Sequence, residues 1–155
     1  MNDPTLNVRP PVELLVVEDD DNDLEMTLRA LRKVTVLDVV EVARDGAEAL
    51  EFLFAEGRWA GRNTDERPRL VLLDLKLPRV DGLEVLERMK RDPRTRTIPV
   101  VALTSSHEES DVVASYGLGA NSYVVKPMTY ERFVSAVTQI GMYWMLLNQP
   151  SGGGE

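Results

Sequence analysis

Cysteine is absent from the 155 residues. That excludes a disulfide framework and any thiolate metal site, and it is compatible with a reducing compartment. Long apolar runs are also missing; none approaches the ~18 residues needed to span a bilayer. Residues Met1 to Pro11 lack the basic-then-apolar layout of a secretory signal. These absences lead to the expectation of a cytoplasmic protein with no membrane partner. Positive charge is the minority sign: 18 Lys and Arg against 26 Asp and Glu give a net charge of -8. This argues against a nucleic-acid-binding surface and suits a site that holds a divalent cation. There is no internal repeat or low-complexity block, and the length fits one domain able to bury a core without staples.

What is present is organised around Leu70–Leu73, four apolar residues that run directly into Asp74. An unbroken apolar run this short predicts a strand buried on both faces, as in parallel sheets. A buried carboxylate is costly, so Asp74 is expected where the strand ends and solvent begins. Lys76 and Pro78 then mark a loop. Taken alone, Asp74 is equally well read as a cap on a turn.

The remaining chain supplies the context. Val12–Val17 reads as a first strand that ends in an acidic run, Glu18 to Asp23. Part of that run caps a helix, since Asp and Asn suit an N-cap and acids suit a helix N-terminus. Glu18 and Asp19, however, leave the strand before any cap is needed, and adjacent carboxylates repel unless a cation neutralises them. Leu24, Leu28 and Leu31 give a first helix to about Lys33. Leu37–Ala43 reads as a strand nearer an edge, and Ala47, Leu50, Leu53 and Phe54 as the inward face of a second helix. Residues 57–68 form a long polar loop, in which Trp59 is expected to cover the helix end.

After Asp74, Asp81-Gly82 turns the chain and Leu83, Leu86 and Met89 line a third helix that Asp92-Pro93 ends. Residues 99–103 read as a fourth strand ending in Thr104. A weak fourth helix covers His107 to Tyr116. Gly117-Leu118-Gly119 stops it, and the third glycine of a dinucleotide fingerprint is missing. Ser122–Val125 reads as a fifth strand leading into Lys126-Pro127, and Thr129 opens a last helix reaching about Leu147. Five strand-helix repeats predict an α/β fold: a doubly wound five-stranded parallel sheet with helices on both faces and right-handed crossovers.

In such a sheet all strand ends share one edge, where open α/β sheets bind ligands. Strand one brings Glu18 and Asp19 there, strand three Asp74, strand four Thr104 and strand five Lys126. These groups suit phosphoryl transfer to a carboxylate. Clustered carboxylate oxygens make a site for Mg²⁺, and an exposed Asp can act as nucleophile. Lys126 can pair with a phosphoryl oxygen as a point charge, and Thr104 can donate a hydrogen bond to another.

The set VVED before an acidic turn, LLDLKLP, DG, LTS after strand four and YVVKP resembles the receiver domain of bacterial response regulators, over about Glu13 to Leu147. That resemblance implies the flavodoxin-like receiver fold with sheet order 2-1-3-4-5. It implies Asp74 as phospho-acceptor, and Glu18, Asp19, Asp74 and the backbone carbonyl of Lys76 as Mg²⁺ ligands. By the same resemblance Thr104 and Tyr123 are the switch pair, Lys126 is the family's lysine and Pro127 its cis-proline partner. The phosphoryl donor would be a sensor histidine kinase, which leaves His107 without a donor role. The domain would catalyse only its own phosphorylation and dephosphorylation. Glu18 stands where many relatives carry Asp. Lys76 stands where members carry various residues, and it either reaches into solvent or affects the lifetime of the phospho-aspartate.

The final helix carries a stripe of Phe133, Val137, Ile140, Trp144 and Leu147 for the sheet. Met142, Met145 and Leu146 fall outside it. An apolar outer face usually marks a partner surface, so a homodimer through the C-terminal helix is expected, with signalling through the face of the fourth helix, fifth strand and fifth helix. The expected layout is a loose arm over 1–11, the receiver over 12–148 and a flexible tail over 149–155, with no DNA-binding output domain. The long loop, the RDPRTRTIPVV stretch and the extended last helix resemble the small regulators paired with bacterial phytochrome kinases. Two rivals stay open: a phosphorylation-independent interaction module on the same fold, and a Mg²⁺-dependent aspartate phosphatase. The phosphatase would want a second acid where Lys76 stands.

Overall fold

The computed structural model describes residues 11–105, 109–126 and 129–147. Residues 1–10 of the arm expected over 1–11, the tail over 149–155, His107 and Pro127 lie outside the described residues. Five strands, β1 (Leu14–Val17), β2 (Val40–Ala43), β3 (Leu70–Leu73), β4 (Val100–Thr104) and β5 (Ser122–Val125), form one parallel sheet in the order 2-1-3-4-5. Helices α1 (Asp21–Leu31), α2 (Gly46–Leu53), α3 (Gly82–Arg91), α4 (Glu109–Gly117) and α5 (Tyr130–Met142) follow the strands in turn.

Strand alternation divides the core into two layers. Leu15, Val17, Val71, Leu73, Val100 and Ala102 face Phe52, Leu53, Val85, Leu86 and Met89 of α2 and α3. Leu14, Val16, Leu70, Leu72, Val101 and Leu103 face Leu31 of α1 and Phe133, Val134 and Val137 of α5. Both faces of the central strands are therefore buried, which is why their sequences are continuously apolar. Trp59 does cover the end of α2: its ring meets Phe52 edge-on at 5.7 Å.

Three expectations change. Leu37–Val39 is a 3-10 turn, and β2 begins only at Val40. Its ladder partner β1 offers just Leu14 to Val17 for pairing. Asp74 is buried, not at the solvent boundary. Met145, expected on the outer face of the last helix, is buried in the α1–α5 layer, whereas Met142 and Leu146 are 45% and 61% exposed. Beyond Met142 the helix continues as a π turn over Tyr143–Leu147. The buried line of α5, Phe133, Val137 and Gly141, runs on to Met145 in this turn, whose i to i+5 hydrogen bonds widen it. Gly141 permits this packing. A Cβ there would sit 2.9 Å from Val34 Cγ2 and 3.3 Å from Leu31 Cδ2.

Candidate functional site: an acidic pocket at the carboxyl edge of the sheet

Ladder hydrogen bonds continue one residue past β1, β3 and β5 and fix where the functional side chains start. Glu18 N donates to Ala43 O at 3.0 Å, Asp74 N to Val17 O at 3.1 Å, and Lys126 N to Thr104 O at 2.8 Å. The carboxyl ends of β1, β3 and β5 thus deliver Glu18, Asp74 and Lys126 to one crevice, and Thr104 ends β4 with its carbonyl accepting from Lys126 N. Thr104 and Glu18 are buried with Asp74, while Asp19 is exposed at the rim.

Lys126 ties the pocket together. Its ammonium donates to Glu18 Oε2 at 2.7 Å, to Asp23 Oδ2 at 2.8 Å and to Asp74 Oδ2 at 3.1 Å. These three bonds use all three of its protons. The Lys126 side chain is only 9% exposed, and burial alone would lower its pKa. Its hydrogen bonds with Asp23 and Glu18, together with the charges of Asp74 and Glu18, outweigh burial and raise it, so the lysine is a fixed cation. Glu18 moves the other way from a typical paired acid. Burial, reinforced by the charge of Asp74, pushes it from 4.5 to about 7 against the opposing pull of Lys126. One ammonium divided among three carboxylates does not fully offset the desolvation of the deepest one.

Asp74 has a second fixed contact. Lys76 N donates to its Oδ1 at 3.2 Å, so the loop after β3 folds back on the carboxylate. That loop is anchored on two sides. Arg79 grips Asp45, the N-cap of α2, with Nε 3.0 Å from Oδ2 and a second nitrogen 3.2 Å from Oδ1. Lys76 Nζ lies 3.3 Å from Asp111 Oδ2 on α4, so its side chain is engaged and does not simply extend into solvent. Gly82 closes the loop: a Cβ there would stand 2.3 Å from the Asp74 carbonyl oxygen and 2.6 Å from Leu75 Cα.

The donor set fits a hard divalent cation. Glu18, Asp19 and Asp74 each offer a carboxylate oxygen, and these oxygens lie within 4.8 Å of one another. All are oxygen ligands of the kind Mg²⁺ and Mn²⁺ take. Tyr123 sits half-buried against the α2–α3 layer, with its backbone N–H on the Tyr116 hydroxyl at 3.1 Å. Sequence reasoning missed Asp23, Asp45, Arg79 and Asp111. Nothing in their local patterns marks them, because each acts on a residue distant in sequence.

A 2-1-3-4-5 sheet whose carboxyl edge joins a lysine to a carboxylate pocket defines a signalling receiver. The family model for the response regulator receiver domain matches residues 14–138, and the chain belongs to that family. A probable methanogenesis regulatory protein, FilR2, of Methanothrix harundinacea is 40% identical over 148 residues, 95% of this chain and 92% of that protein. Two solved structures superpose with a TM-score of 0.83 at 37% identity, covering 91% of this chain and 99% of theirs. They are the Mn²⁺-bound response regulator Rcp1 and the phosphorylated cyanobacterial phytochrome response regulator RcpA. Among the described residues no helix is long and apolar enough to cross a membrane.

Proposed function

We propose that this receiver takes a phosphoryl group from a sensor histidine kinase onto Asp74. The observation that carries the reading is the contact of the Lys126 ammonium with Asp74 Oδ2 at 3.1 Å, inside a pocket that also holds Glu18 and Asp19. An Asp74 oxygen forms the new O–P bond as the donor's N–P bond breaks, and the electron pair leaves with the kinase imidazole. Lys126 is positioned to neutralise one phosphoryl oxygen and Thr104 to donate to another. Mg²⁺, bound by Glu18, Asp19, Asp74 and the Lys76 carbonyl, would supply charge neutralisation between the anionic acceptor and the anionic phosphoryl group.

Thr104 moving toward the phosphoryl group and Tyr123 turning inward would reshape the α4-β5-α5 face. Val113, Tyr116, Val125, Tyr130, Met142, Tyr143 and Leu146 already expose apolar surface. With Met145 in the core, Met142 and Leu146 are the residues offered to a second copy of the chain. The likeness to a phytochrome response regulator supports a bacterial phytochrome kinase as the donor.

The test is incubation with Mg²⁺ and acetyl phosphate. Wild type should gain one hydroxylamine-labile phosphoryl group and Asp74→Asn none. Equal labelling of both proteins would refute Asp74 as acceptor; no labelling of either, even with a histidine kinase, would leave the interaction-module reading.

A further inference from the structure

The pocket holds a fourth carboxylate that the phosphoryl-transfer scheme does not use. Asp23 is the third residue of α1, and its backbone is fixed twice over. Its N–H donates to the N-cap side chain of Asp20 at 2.8 Å, and its carbonyl accepts from the Thr27 hydroxyl at 2.8 Å. From this rigid turn its carboxylate reaches across to the end of β5 and accepts a hydrogen bond from the Lys126 ammonium at 2.8 Å.

The three partners of Lys126 are not equivalent. Glu18 and Asp74 belong to the cluster whose oxygens can surround a divalent cation, and Asp23 does not. A divalent cation on Glu18 and Asp74 competes with the ammonium for the negative charge of those carboxylates, to which the ammonium bonds at Glu18 Oε2 and Asp74 Oδ2. A buried ammonium stripped of its partners is strongly unfavourable.

We infer that Asp23 is a positioning residue for Lys126: it retains the ammonium beside Asp74 when Glu18 and Asp74 are engaged by a divalent cation. Lys126 then stays within reach of an arriving phosphoryl oxygen instead of contesting the metal ligands. The inference rests on the metal site proposed above and assigns Asp23 no metal contact of its own.

The probe is Mn²⁺ alone, with free aqueous ion measured by electron paramagnetic resonance. Asp23→Asn should weaken Mn²⁺ binding roughly tenfold, the size of one charge-assisted hydrogen bond, because the ammonium falls back on the shared carboxylates. In a Lys126→Gln background the same substitution should change nothing, and Asp23→Glu should keep most of the wild-type affinity. Equal weakening with and without Lys126 would mean that Asp23 acts on the ion through its own charge and would overturn the inference. So would an Asp23→Asn protein that binds as wild type does. Wild type that takes up no Mn²⁺ would sink the metal site itself, and the inference with it.

Discussion

Lys76 Nζ lies 3.3 Å from Asp111 Oδ2, which joins the loop two residues past the Asp74 carboxylate to the first turn of α4. The Lys76 side chain is 57% exposed, and pairs of this kind contribute roughly 0–1 kcal/mol. Lys76→Ala should therefore leave global stability nearly unchanged. It should instead speed amide hydrogen exchange across residues 111–117, because α4 loses its tether to the loop. Unaltered exchange there would show that the pair does not restrain the helix.

Gly82 faces a different constraint, since any side chain must occupy the space of the Asp74 carbonyl and Leu75 Cα. Gly82→Ala should destabilise the fold by at least ~1–3 kcal/mol through overpacking. It should also shift the loop that carries Lys76 N onto Asp74. Urea denaturation and phosphorylation by acetyl phosphate should both register the change. A protein with wild-type stability would mean that α3 can slide away at no cost.

The raised pKa of Glu18 has a definite sign. Native protein holds this proton up to about pH 7, whereas the unfolded chain releases it near its ordinary 4.5. Between those values the native state binds more protons, so the group's contribution to stability falls as pH rises and is flat above the window. In chelator-treated protein, Glu18→Gln should remove that decline. The check is urea denaturation of both proteins at pH 5 and pH 7.5; parallel pH dependences would contradict the assignment.

The end of α5 separates core from surface. Met145→Ala should cost about 2–5 kcal/mol by leaving a cavity in the α1–α5 layer. Leu146→Ser should leave stability almost intact and, if the exposed face joins two copies, convert dimer to monomer in light scattering. A monomeric wild type at high concentration would remove the proposed dimer.

The sheet was legible because its strands are unbroken apolar runs, Leu70–Leu73 and Val100–Leu103 above all, that end at carboxyl-edge residues with distinctive chemistry. Where periodicity was asked to do more, it failed for identifiable reasons. Residues 37–39 have strand composition, but they close a 3-10 turn that, among the described residues, hydrogen-bonds to the β1 side only through Glu13 N–H donating to Val39 O at 2.8 Å. Met145 was misplaced because a 3.6-residue stripe was extended through a turn that becomes π-helical. The metal-type cluster of Glu18, Asp19 and Asp74 followed from the rule that parallel strand ends share an edge. Asp23 did not, because within the acidic run from Glu18 to Asp23 no pattern tells which carboxylate meets a lysine 103 residues away. Asp111 and Arg79 were hidden likewise: their partners are set by how α4 and α2 sit beside the loop after Asp74.

Every proton on the Lys126 nitrogen is already committed to a carboxylate. An oxyanion arriving alone must evict one of them and enter a crevice of its own sign. Sulfate or orthophosphate arriving without a cation therefore gains little by lodging there.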